Sequence, residues 1–325
     1  MLLVSATLRA EIGWRASSPD ELARDAAAFN GIDQAITESL TDVQSLAVVL
    51  KGRLVHEYYR DGAPDKLRDV QSVAKSALTS LVGIAIAQGR IASLDQPVVA
   101  LVPEWAPLNS DARVAAVTVR HLLTMTAGFE VDDPTGTGAA GRAAEAWARP
   151  LRSAPGEKFA YDNAIIPMVI AVLERAAGMP LADYARKELV APLGLLEPSY
   201  QRGLQLRTVD MAKLGQLYLQ NGVWEGRQLV PQSYAISATQ PQNNGGPPVS
   251  MPYGYMWWIV PSNAPRQTFM ASGYAGQLIW VYPPLELVVA ITSTVSQESQ
   301  RRGHAIQLLR GKLFNAAQQR AASAP

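Results

Sequence analysis

Cysteine is absent from the 325 residues. Disulfides, thiolate metal sites and a cysteine nucleophile are thereby excluded, and the redox compartment stays open. Histidine is scarce: His56, His121 and His304 are the only three, far apart and outside any metal-ligand spacing. No G-x-S-x-G elbow occurs, which argues against a Ser-His-Asp hydrolase of the α/β type. Charge is nearly balanced, with 29 Lys and Arg against 28 Asp and Glu and a net charge of +1. A nucleic acid or an anionic membrane surface would have no electrostatic footprint to meet. No apolar run is long enough to span a bilayer. The opening Met1-Leu2-Leu3-Val4-Ser5 is too short and too uncharged for a secretory signal. As written the chain reads as cytoplasmic, and a trimmed leader would make it periplasmic or secreted. Oligomeric state is not encoded in any motif of the chain.

What is present suits a large folded protein. The chain is 48% hydrophobic and 18% charged, enough for two domains or one large one. Residues 20–40 read as helical. Leu46 to Tyr59 reads as two strands around Lys51-Gly52. Ala74, Ala77, Leu78, Leu81, Val82 and Ala85 form an apolar stripe at helical spacing, with Gly89 as its stop. Helices dominate from about 95 to 250; one runs from Leu206 to Leu219 with Thr208 as N-cap and Asn221-Gly222 behind it. Gln240 to Pro252 is a loop by composition. Strands return at Tyr255–Val260, Gln267–Ala271, Gln277–Tyr282 and Leu287–Thr294, and a last helix covers about 299–317. Strands at both ends with helices between predict an α+β chain, one sheet built from both termini and a helical insertion.

Three short segments carry the chemistry. Ser72-Val73-Ala74-Lys75 puts a hydroxyl and an amine one turn apart on a helix, where they share a face. An amine beside a hydroxyl can activate it as a nucleophile, and desolvation by apolar neighbours favours the neutral amine. Spacing alone is weak: chance supplies roughly half a match in this composition, and a capping serine with a surface lysine fits equally well. The helix N-terminus strengthens the case, because its free N–H groups favour a developing anion. Tyr161-Asp162-Asn163 follows a Pro155-Gly156 turn. Tyr161 near a cation could serve as base and acid, and Asn163 could orient Lys75 and substrate; a buried tyrosine beside a turn asparagine is the plainer alternative. Ala271-Ser272-Gly273-Tyr274-Ala275-Gly276 lies on a C-terminal strand. Glycines there mark either close backbone approach or a bulge. An edge backbone N–H from Tyr274, with that of Ser72, would make a two-donor oxyanion hole.

In this order and at these separations the three segments resemble the serine β-lactamase and penicillin-binding protein superfamily, in its class C-like esterase and 6-aminohexanoate-oligomer hydrolase branch. Ser72-Val73-Ala74-Lys75 matches its S-x-x-K, Tyr161-Asp162-Asn163 its Y-x-N, and Ala271-Ser272-Gly273 stands where K-T-G or H-x-G is found. Val119 to Gly128, Asp210 to Gly215 and Asn221 to Trp224 resemble its flanking segments. The resemblance implies a discontinuous sheet domain over 1–95 and 250–325, a mainly helical domain over 96–249, and an active site between them. It implies acyl transfer through Ser72, with Lys75 and Tyr161 as proton carriers, on a small ester or amide, without metal or cofactor.

One departure bears on substrate. Ala271 replaces the usual Lys or His, and alanine cannot hold a substrate carboxylate. Neutral esters or amides are expected over lactams or D-amino peptides, unless another cation such as Arg266 serves. A sensor that is acylated once and never turns over is the reading from another class. Gly136-Thr137-Gly138-Ala139-Ala140-Gly141 matches G-x-G-x-x-G, but no strand precedes it, so a loop is expected. Asp132 and Asp133 read as loop residues. Tyr253, Tyr255, Trp257 and Trp258 could wall a cleft or pack a core.

Overall fold

In the computed structural model, which describes residues 13–131, 142–201 and 203–323, the apolar runs at the two ends of the chain meet in one antiparallel sheet. Its strands are β1 (Val43–Leu50), β2 (Arg53–Tyr59), β3 (Asn243–Gly246), β4 (Met251–Tyr253), β5 (Trp258–Val260), β6 (Thr268–Gly273), β7 (Gln277–Tyr282) and β8 (Leu287–Ser293). They lie in the order β2-β1-β8-β7-β6-β5-β4-β3. The strand from the start of the chain pairs directly with the one near its end, Leu46 opposite Ile291 and Val48 opposite Val289. β1 and β8 are buried almost throughout, which explains their aliphatic runs Leu46–Leu50 and Leu287–Ile291: a strand covered on both faces need not alternate.

Helices cover both faces. On one lies α6 (Thr208–Leu219), every residue of which is buried. Its Gly215 rides so close to the sheet that a Cβ would sit 2.6 Å from Val288 and 2.7 Å from Ile279. The opposite face meets the C-terminal helices α7 (Gln297–Arg302), α8 (His304–Leu308) and α9 (Phe314–Ala322), with Phe314 edge-on to Tyr282. N-terminal α1 (Pro19–Ala28) is tied to α9 and β2 through Asp25, which accepts from Arg320 at 2.6 Å and Arg53 at 2.8 Å. A short α2 (Ile32–Glu38) completes the N-terminal region.

Between Tyr59 and Asn243 the chain is mostly helical, including α3 (Ala74–Ala87), α4 (Ile165–Ala177) and α5 (Leu181–Ala185) with a wider turn over Arg186–Val190. α3 is buried on nearly all sides, not along one stripe. Its polar residues are therefore spent internally: Ser76 donates to the Met256 carbonyl at 2.9 Å, and Thr79 meets the Tyr234 hydroxyl at 2.7 Å.

Three expectations need correction. The composition-based loop over Gln240–Pro252 contains β3 and β4, a hairpin that extends the sheet edge; cross-strand pairing overrides the turn-forming residues. Thr208 is the first residue of α6, not its cap; its hydroxyl reaches Ser45 instead, at 2.5 Å. The last helix is broken at Gly303, whose positive φ ends α7; beyond it α8 runs on into α9 through a wider turn over Leu309–Leu313. Residues 20–40, expected to be helical, form α1 and α2 with a turn at Gly31 between them. The glycine-rich run at 136–141 and Asp132 and Asp133 lie outside the described residues.

Candidate active site

Ser72 lies in a tight turn, Gln71–Val73, that leads into α3. The turn is entered through Gln71, whose φ of 50 is in the left-handed region that costs a non-glycine residue energy. Asp69 holds it there, accepting the Gln71 backbone N–H at 2.9 Å and its side-chain amide at 2.7 Å. One turn into the helix, Lys75 is 5% exposed. Its Nζ donates to Ser72 Oγ at 2.8 Å and to Asn163 Oδ1 at 2.8 Å. Lys75 thus joins two segments that are distant in sequence.

Asn163 is delivered by a clamped turn. Ala160 N–H donates to the carbonyl of Met125, itself at φ 56. Asp162 is buried, paired with Arg149 at 2.6 Å, and accepts from Ala164 N–H at 2.9 Å just before α4 begins. Tyr161 is also buried, with its ring centroid 4.9 Å from Lys75 Nζ. Its ring stacks on Trp258 and stands edge-on to Tyr253, contacts worth about 0.5–1.5 kcal/mol each. Burial pushes the Tyr253 hydroxyl well above its ordinary range, and Tyr161 beside it adds to the effect. Tyr253 is therefore neutral. The aromatic run is core: Tyr253, Tyr255, Trp257 and Trp258 are all buried, and two of them fix Tyr161.

The third segment runs beside the turn that carries Ser72. Gly273 closes β6, and a Cβ on it would stand 2.8 Å from the Val70 carbonyl and 3.0 Å from Gln71 Cβ. Only a residue without a side chain allows that approach. Ala271, two residues back, shares its face by strand alternation and is buried, while Ser272 points to the other face. Tyr274 follows in a turn fixed by Gln300, whose side chain accepts the Ala275 N–H at 2.6 Å. Arg266 does not stand in for a cation at 271: it donates to the Tyr218 and Leu219 carbonyls at 2.6 and 2.5 Å, at the end of α6.

Ser72, Lys75, Asn163 and Tyr274 all line one cavity of about 930 Å³. Asp69 and Lys75 are the charged residues of its described lining. Among the described residues no cluster of His, Asp or Glu is arranged to hold a metal ion. No single described helix is long and apolar enough to cross a membrane. The sequence did not single out Asp69 or Gln71. An Asp two residues before a polar residue is a turn signal, but nothing in the pattern tied that turn to Ser72.

The profile of the family described as Beta-lactamase matches residues 32–209, more than half of the chain. The chain belongs to the beta-lactamase family. Within it, this beta-lactamase-family chain is 23% identical over 312 residues to a 6-aminohexanoate-dimer hydrolase of Paenarthrobacter ureafaciens, covering 85% of this chain and 78% of that protein. It is 32% identical over 152 residues to esterase EstB of Burkholderia gladioli, covering 40% of this chain and 38% of EstB. Its fold matches the solved structure of EstCE1, a hydrolase with promiscuous acyltransferase activity, with a TM-score of 0.73 at 16% identity over 90% of this chain and 99% of that one. Beta-lactamase-family membership and these relatives make the protein a hydrolase with a β-lactamase/transpeptidase-like fold.

Proposed function

We propose that the protein hydrolyses small neutral esters or amides through an acyl-enzyme on Ser72. The observation that carries this reading is the position of Lys75 Nζ, 2.8 Å from both Ser72 Oγ and Asn163 Oδ1, in a cavity open to substrate. At this distance Lys75 Nζ is placed to receive the serine's proton. Oγ attacks the substrate carbonyl carbon as Lys75 takes that proton, and the carbonyl electrons move onto oxygen. Backbone N–H groups of Ser72 and Tyr274 face the oxyanion. Collapse expels the alcohol or amine, protonated by Tyr161 or by Lys75 acting with it. Water then gives its proton to the same pair, attacks the acyl carbon and releases the acid, restoring the Ser72 hydroxyl. Asn163 keeps Lys75 directed at Ser72. Neutral substrates are favoured because Ala271 brings no cation and the described lining holds only Asp69 and Lys75 as charges.

Mass spectrometry of the protein mixed with p-nitrophenyl butyrate, run beside a p-nitrophenol release trace, tests the reading. A butyryl adduct on the Ser72 peptide with continuous release is expected. Ser72→Ala should keep the wild-type melting temperature and lose both. Undiminished turnover in that variant would overturn the proposal.

A further inference from the structure

The cavity at Ser72 is far larger and more apolar than a small acyl group needs. Its wall away from Lys75 is built from α3, α4, the α5 region and the chain over 195–206. Ile166 and Ile170, four residues apart on α4, lie one above the other and stay only partly buried. Their neighbours Met168, Val169 and Val172 are fully buried in the core. α4 therefore presents two apolar faces, one packed and one turned to the cavity. Across from it Ala74 and Ala77 of α3, with Ala182 and Ala185 of α5, set the wall back by having almost no side chain. Buried Leu81, Leu189, Leu206 and Leu214 form the inner surface, and Tyr200 stands exposed at the rim.

We infer that this cavity holds a medium-length aliphatic acyl chain, and that the substrates are esters or amides of fatty acids of about eight to ten carbons. The inference rests on Ser72 being the nucleophile. The wall follows α3 from Ser72 to Leu81, which at ~1.5 Å per residue is about 13 Å. An extended chain advances ~1.2 Å per bond, by the same geometry that gives a polypeptide ~3.5 Å for three bonds, so the wall spans about eleven bonds; Cα–Cβ, Cβ–Oγ and Oγ–acyl carbon take three of these and leave about nine carbons. An apolar cavity of hundreds of cubic ångströms with a few polar groups at one end suits a ligand that is polar at that end only. The chain belongs to the acyl side, because the acyl group stays on Oγ until water releases it. The alcohol must depart first and leave room for that water.

The test is kcat/KM for p-nitrophenyl acetate, butyrate, hexanoate and octanoate, with adduct mass spectrometry on each. Burial of each added methylene should raise kcat/KM by about threefold to fourfold, so octanoate, six methylenes longer, should exceed acetate by about a thousandfold. Ile170→Trp should flatten the slope beyond butyrate. Octylboronic acid, which needs no variant, should inhibit the wild type far more tightly than propylboronic acid. A flat or falling profile with the Ser72 adduct still formed would overturn the inference and leave the Ser72 reading standing. So would a rate that rises with the alcohol chain of alkyl acetates instead. Absence of any adduct with every ester would overturn both.

Discussion

Gly273→Ala tests how closely β6 must approach the Gln71–Val73 turn. Gly273 has an ordinary extended backbone, φ −113, so alanine brings no conformational strain. The cost is volume alone. Its Cβ would meet the Val70 carbonyl at 2.8 Å, Gln277 Cβ at 2.9 Å and Gln71 Cβ at 3.0 Å. Comfortable contact needs about 3.5 Å, so strand and turn must part by about half an ångström. Overpacking of this kind costs about 1–3 kcal/mol. Two of the three clashing atoms belong to residues just before Ser72, so relief moves Oγ relative to the Tyr274 N–H. A shift of ~1 Å costs about a hundredfold in rate, so kcat should fall between about tenfold and a hundredfold. Gly311→Ala is the control, since nothing lies within 4 Å of its added Cβ. The assay is kcat and KM on p-nitrophenyl butyrate together with urea unfolding. A Gly273→Ala protein with the wild-type unfolding midpoint and kcat within about twofold would refute the reasoning.

Gly215→Ala should destabilise by about 1–3 kcal/mol with little change in KM, because its Cβ would strike Val288 and Ile279 at the sheet and not the cavity; urea midpoints decide it. Asp210→Asn should cost about 3–5 kcal/mol, since it leaves Arg207 and Lys213 cationic around a fully buried amide; an equally stable variant would show the cluster to be dispensable. Asp42 is held below its ordinary 3.8, first by the hydrogen bond from Arg302. A depressed carboxyl stabilises the fold above the unfolded value and loses that contribution as pH falls through the folded one. Wild-type stability should therefore drop as pH falls below about 4, and Asp42→Asn should be weaker at pH 7 with a flatter acid limb. Parallel stability curves for the two proteins from pH 3 to 7 would count against this.

Legibility followed the range of the interaction. Ser72 and Lys75 lie three apart, so helical spacing put them on one face where they could touch, and the structure has them 2.8 Å apart. β7, over Gln277–Tyr282, matches its expected bounds because alternation and β-branched residues are local signals. The hairpin of β3 and β4 was missed because Asn243-Asn244-Gly245-Gly246 carries every local mark of a loop and becomes strand only beside its partners. The fate of the aromatic run was open for the same reason: packing and cleft-lining give one pattern until neighbours are known. The cavity is least legible of all. Ile166 and Ile170 are indistinguishable from core residues by periodicity, and four alanines from separate positions make a space that no one segment describes.

The pairing of β1 with β8 has a consequence for synthesis. Val43–Leu50 leaves the ribosome early, and β2 can cover one of its edges at once. The other edge waits for Leu287–Ser293, about 240 residues later, which is roughly ten to fifty seconds at ordinary elongation rates. Through that interval a strand with an aliphatic run over Leu46–Leu50 stands with an open row of N–H and C=O groups, the geometry most prone to pairing with another nascent chain. The β1–β8 seam, two strands in from one edge of the finished sheet, thus closes late, and that edge must be sheltered while the helices between are made.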